Sequence, residues 1–113
     1  MMKKIEGFIQ PSKLDDLKRA LVEAGITGMS VSNVLGFGRQ LGYREGEERG
    51  EEARLLEKMK IEIVVDEEVV DRVVQIIIDF AQTGSVGAGK IFVLPCEDAI
   101  RVGTREVGSA ALH

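Results

Sequence analysis

Residues 83–95 read TGSVGAGKIFVLP. Within them Gly84 to Lys90 fit G-x-x-x-x-G-K, the spacing of a phosphate-binding P-loop. Two features oppose that reading. A P-loop places Ser or Thr after its lysine to hold magnesium, and Ile91 stands there instead. A P-loop also leads from a strand into a helix. Here Val70, Val73, Val74, Ile77 and Ala81 recur at helical spacing before the glycines, and IFVLP (91–95) reads as a strand stopped by proline. The order is reversed, so a nucleotide-hydrolysing enzyme is the weaker reading. The anion chemistry survives the reversal. Three glycines among residues 84–90 let backbone N–H groups converge on an anion, and Lys90 adds a full charge. On the loop alone, a plain helix-to-strand connection is the better explanation of the glycines.

The same strand–helix–strand pattern occurs upstream. KKIEGFIQP (3–11) sets Ile5, Gly7 and Ile9 against Glu6 and Phe8, and ends at Pro11. Ser12 and Asp15 have the spacing of a capping box, and Leu14, Leu17, Leu21 and Ala24 follow at helical intervals up to Gly25, which predicts a helix over about 12–25. GMSVSNVLG (28–36) and KIEIVV (60–65) read as strands, and the acids of DEEVV (66–70) suit the start of the second helix. Residues 37–57 show no strand period, with glycines at 38, 42, 46 and 50 and a helical pattern at EEARLLEK (51–58). A loop of that length in a small domain is unusual and often functional.

The resulting order is β-α-β, long loop, β-α-β. It predicts an α+β fold of the split βαβ, ferredoxin-like kind, with two helices on one face of an antiparallel sheet. Val64 and Phe8 would lie on the other face beside Glu6 and Glu62, where one chain has nothing to cover them. Burial of that face in a homo-oligomer is expected.

Composition narrows the function. At 113 residues a single domain is expected, over 1–112 if His113 after GSAAL is the remnant of a purification tag. A net charge of −4 opposes a broad nucleic-acid surface while leaving room for a local anion pocket. Strand 3 has no stacking aromatic and strand 1 only Phe8, which also opposes an RNA-binding module of this fold. A single cysteine, Cys96, precludes an internal disulfide. No run approaches the ~20 apolar residues of a membrane span, and MMKKIEGF lacks the pattern of a signal peptide. The expected location is the cytoplasm.

PSKLDDLKRALVEAGITGMSVSNVLGFGRQ (11–40) and KMKIEIVVDEEVVDRVVQIIIDFAQTGSVGAGKIFVLP (58–95) together resemble the PII signal-transduction proteins over almost the whole chain. The resemblance implies a trimer of ferredoxin-like subunits with ATP or ADP in each cleft between neighbours. It implies a non-catalytic sensor of ATP against ADP and of 2-oxoglutarate, which controls nitrogen metabolism through the long loop. Gly87, Ala88, Gly89 and Lys90 would hold phosphates, joined by Arg101 and by Gly38 and Arg39. Ser30 would hydrogen-bond the base and Val64 would pack on it. Gln40 would ligate Mg²⁺ shared by ATP and 2-oxoglutarate, completing an octahedron of hard oxygens, and Lys58 would pair with the far carboxylate of the keto acid. Arg49 matches the arginine that enters the channel mouth in ammonium-channel regulators; a regulated enzyme is the other kind of partner implied.

Three departures bear on that reading. Ala88 replaces the acid of the family's G-D-G-K. In RVGTR (101–105), Gly103 stands at a nucleotide-site position where a second phosphate arginine is expected, and Arg105, two residues on, would be the one to reach the same phosphates. Ala53, in ERGEEA (48–53), occupies the place of the uridylylated tyrosine, while Tyr43 lies outside that motif. The altered RVGTR motivates a second reading, a PII-like sensor that pairs adenine nucleotides with another metabolite such as bicarbonate.

Overall fold

The computed structural model describes residues 1–38, 41–43, 46–48, 50–84 and 88–113. Its elements are β1 (Met2–Ile9), α1 (Leu14–Glu23), β2 (Ser30–Gly36), β3 (Leu56–Asp66), α2 (Val70–Ala81) and β4 (Gly89–Cys96). Short 3₁₀ turns occupy Pro11–Lys13, Glu67–Val69 and Gly108–Leu112. The sheet order is β2-β3-β1-β4 with every pair antiparallel, the split βαβ arrangement.

Strand alternation makes the sheet two-faced. Ile5 and Ile9 of β1 and Ile61, Ile63 and Val65 of β3 point to one side, where they bury against Leu17 and Leu21 of α1 and Val73, Ile77 and Ala81 of α2. Each fully buried Ile or Leu contributes roughly 1.5–3 kcal/mol of transfer free energy. The other side carries Lys4, Glu6 and Phe8 of β1, Lys60, Glu62 and Val64 of β3, and Phe92 and Leu94 of β4. Glu6 and Glu62 are direct cross-strand partners, a repulsive arrangement. Two lysines offset it: Lys4 Nζ lies 3.2 Å from Glu6 and 2.5 Å from Glu62, and Lys60 Nζ lies 3.6 Å from Glu6. Phe8 and Phe92 meet edge to face at 6.1 Å beside this quartet. Phe92 remains 47% exposed, because both helices lie on the opposite face.

Several local expectations are corrected. EEARLLEK is not helical. Leu56, Glu57 and Lys58 extend β3 and pair with Gly36, Leu35 and Val34, so hydrogen bonding across the β2–β3 ladder overrides a local helical pattern. The Ser12 cap does not form. Pro11–Lys13 is a 3₁₀ turn, and Lys13 is the N-cap of α1 with no side-chain cap bond. The far end of α1 closes as expected at Gly25, whose N–H reaches Val22 O while that of Ile26 reaches Leu21 O, both at 3.0 Å. Gly89 and Lys90 belong to β4 rather than to the loop before it. Gly89 has φ +144°, and a Cβ there would lie 2.2 Å from the Phe8 carbonyl oxygen, so only glycine lets β4 begin against β1.

Candidate functional site

The residues singled out in the sequence fall into two groups at opposite ends of the sheet. Ser30, Val64 and Arg101 share a cleft of about 700 Å³ with Lys4 and Glu62. The Schellman closure of α1 aims Ile26–Met29 along its wall, and Ser30 then opens β2 opposite Glu62. Val64 faces the cleft from β3, opposite Lys4. Glu62 and Lys4 stabilise each other's charge. The Lys4 ammonium holds the Glu62 carboxyl below the usual carboxylate range, and Glu62, followed by Glu6, raises Lys4 above the usual lysine range.

Arg101 is fixed by the segment that follows it. The Arg101 N–H donates to Glu106 O at 2.9 Å, and the Arg105 N–H to Arg101 O at 2.8 Å. The Ile100–Val107 bridge closes this turn. Glu106 Oε1 lies 3.4 Å from Arg101 Nε and accepts from the Thr104 hydroxyl at 2.7 Å. Arg101 Nη2 donates to Ala111 O at 3.1 Å and also to His113 O. The same segment is tied down elsewhere. Thr27 Oγ1 donates to Leu112 O at 3.0 Å, Ser109 Oγ to Asp66 Oδ2 at 2.9 Å, and His113 Nε2 lies 3.3 Å from Asp66 Oδ2. These two partners, Ser109 first, hold the Asp66 carboxyl below its usual range. Gly103 and Arg105 lie exposed in the 101–106 turn. A side chain at Gly103 would meet no atom within 4 Å.

The second group lies at the other end. Ala88, Gly89 and Lys90 border an apolar groove of about 330 Å³ formed with Ile9 and the α2 residues Ile77 and Ile78. Lys58 is half-buried on β3, opposite Val34, rather than at the root of a loop. Gly38, just past β2, accepts from the Leu41 N–H at 2.9 Å. Arg39, Gln40, Arg49 and Gly87 lie outside the described residues. Val64 is level with Lys4 on β1, and Lys90 with Phe8. Four residues of strand separate those levels by roughly 13 Å. Ser30 and Lys90 also lie on opposite edges of the four-stranded sheet, a further ~14 Å apart. In one chain Ala88, Gly89 and Lys90 therefore do not converge with Ser30, Val64 and Arg101.

Several described residues between β2 and β3 are held by contacts that the sequence does not suggest. The Arg54 N–H donates to Leu41 O at 2.7 Å, and the Arg54 guanidinium lies 3.9 Å over the Tyr43 ring. Arg54 also pairs with Glu47 at 2.8 Å, and the Tyr43 hydroxyl donates to Glu52 O at 2.9 Å. Gly42, at φ +83°, lies where a Cβ would be 2.0 Å from Arg54 O. Alternation and periodicity give no sign of this clasp, nor of the roles of Glu106, Thr27 and Asp66. The alternation of KKIEGF does place Lys4 on the same face as Glu6. Among the described residues no group of three His, Cys, Asp or Glu side chains is arranged to hold a metal ion, and no helix is long and apolar enough to cross a membrane.

The family described as "Nitrogen regulatory protein P-II" matches residues 2–106. "Nitrogen regulatory protein P-II" of Nostoc punctiforme is 53% identical over 113 residues, covering 98% of this chain and 100% of that protein. The Synechocystis sp. protein of the same description is 51% identical, and "Nitrogen regulatory protein P-II 1" of Escherichia coli K12 is 52% identical, each with the same coverage. Among solved structures, "Arabidopsis thaliana PII bound to citrate" superposes with a TM-score of 0.81 at 38% identity, covering 98% of this chain and 89% of that one.

Proposed function

Because the chain belongs to the nitrogen regulatory protein P-II family, we propose that it is a cytoplasmic, non-catalytic signalling regulator that binds ATP or ADP between the subunits of a homotrimer. The separation of the two residue groups carries this reading. One end of the subunit offers Ser30, Val64 and Arg101, and the other Ala88, Gly89 and Lys90. Each is half of a nucleotide site: one has a base-sized cleft with a cation, the other a glycine-rich strand entry with a lysine. A second copy set against the first brings unlike halves together. The face bearing Phe8, Phe92 and Leu94, uncovered by any helix, supplies an apolar surface for that assembly.

In the assembled cleft Ser30 would hydrogen-bond the base and Val64 would pack against it. Lys90, Arg101 and the N–H groups of Gly87, Ala88 and Gly89 would take the phosphates, with Gly38 and Arg39 alongside. Mg²⁺ would arrive with ATP, and Gln40 would complete its oxygen shell together with 2-oxoglutarate. Lys58 would pair with the far carboxylate of the keto acid. That the Arabidopsis neighbour is described as citrate-bound fits a small carboxylate ligand for this fold. The loop between β2 and β3, with Arg49, would then present a ligand-dependent shape to an enzyme or an ammonium channel of nitrogen metabolism, a shift in populations without chemistry.

Calorimetry tests this directly. Lys90→Ala should weaken ATP and ADP together, since both carry the phosphates it serves. Unchanged dissociation constants for both would reduce the glycine loop to a plain connection. Gln40→Ala should abolish the MgATP dependence of 2-oxoglutarate binding while sparing ADP. A wild type that never binds 2-oxoglutarate moves the bicarbonate-type sensor, motivated by Gly103, into first place.

A further inference from the structure

We infer that residues 108–113 are an internal competitor for the phosphate-binding face of Arg101, so that the chain holds its own anion site closed until a polyphosphate displaces them. The inference rests on the nucleotide reading above and concerns how that same site is regulated.

The chemistry of the guanidinium carries it. Arginine grips a phosphate best through two parallel N–H bonds. Two forks exist, Nη1 with Nη2 at the end of the group and Nε with Nη2 along its side, and both need Nη2. Nη2 has two hydrogens. In this fold Nη2 donates both to Ala111 O and to His113 O, and Nε is engaged by Glu106. Neither fork is available while the segment is in place. Only Nη1 remains for a single contact.

The segment is built to stay there and also to leave. It is held by the Thr27–Leu112 bond and by Asp66 through Ser109 and His113. No residue of the 3₁₀ turn is buried, and Ser109, Ala110 and His113 are exposed, so no core has to open when it moves. Ala111, Leu112 and His113 line the same cleft as Ser30 and Val64. An incoming phosphate thus exchanges the Ala111 and His113 backbone oxygens for its own, at the same nitrogen.

The test compares the full chain with a variant lacking residues 109–113 and with Ser109→Ala, using MgATP and inorganic tripolyphosphate as probes in calorimetry. If the segment occupies Arg101 roughly 80–90% of the time, its deletion should tighten binding of both probes about five- to tenfold. Ser109→Ala, which removes one tether, should tighten it by a smaller factor in the same direction. Amide hydrogen exchange in 109–112 of the full chain should speed up when either probe is added. Unchanged or weaker binding after deletion, with no gain for Ser109→Ala, overturns the inference. So does ATP binding that leaves the exchange of 109–112 unaltered, an outcome that leaves the nucleotide reading intact. Release of the segment by tripolyphosphate, with ATP binding no tighter than tripolyphosphate, sinks the nucleotide reading and keeps the competition. Absence of binding by either probe to any of the proteins overturns both.

Discussion

Gly103→Arg should strengthen ATP binding by about tenfold. Gly103 lies in the exposed turn between Arg101 and Glu106, and a Cβ there has nothing within 4 Å. Its backbone is outside the left-handed region, so the position does not require glycine. The substitution should leave stability within about 0.5 kcal/mol, as for surface sites without special geometry. One added charge-assisted hydrogen bond is worth ~1.5–3 kcal/mol, or roughly 10- to 150-fold in affinity. The exposure of the turn and the entropy of ordering a long side chain favour the low end. Titration calorimetry with MgATP and with ADP, beside a thermal melt, measures both sides. A variant that melts like the parent yet binds ATP no more tightly would refute the placement of this turn beside the phosphates.

Ile61→Ala removes a residue with 0% exposure from between sheet and helices and should cost about 2–5 kcal/mol, read as a lower urea midpoint with little change in slope. The Lys4–Glu62 pair should shape stability against pH at both extremes. Glu62 is lowered in the fold, so its contribution is complete above its ordinary value of 4.5 and disappears as pH falls through the lowered one. Lys4 is raised, so its contribution is complete below 10.5 and disappears as pH rises through the raised value. Glu62→Gln should flatten both flanks of a melting-temperature profile, and identical profiles would remove the pair from the account. Ala53 has no hydroxyl, so incubation with a uridylyltransferase should leave the intact mass unchanged; an adduct on Tyr43 would relocate the modification site. Light scattering should report a mass near three times 12.4 kDa, and a monomer at micromolar concentration would rule out the shared-cleft site.

The elements that bury apolar residues at a fixed period were legible. Ile5/Ile9 and Ile61/Ile63/Val65 alternate because each strand has one wet and one dry face, and Leu17/Leu21 and Val73/Ile77 repeat because each helix buries one stripe. What escaped was set by partners distant in the chain. Leu56–Lys58 look helical until Val34–Gly36 offer a ladder. Residues 96–113 have no period at all, since Arg101, Thr27 and Asp66 hold them through polar bonds rather than through a buried face. The candidate site shows the same division. Ser30, Val64 and Arg101 do share a cleft, but nothing local in the sequence places Ala88–Lys90 at the opposite end of the subunit.

The backbone bond from Arg54 to Leu41, reinforced by the Tyr43 ring beneath the guanidinium, joins the two sides of the β2–β3 connection at a neck. Closing a free loop costs conformational entropy, and a partner that must close one loses that much of its gross attraction. A connection already joined at its neck has part of that closure built into the fold. A substitution that opens the neck, Tyr43→Ala, should therefore weaken the hold of any partner that docks on this loop, through faster dissociation more than slower association.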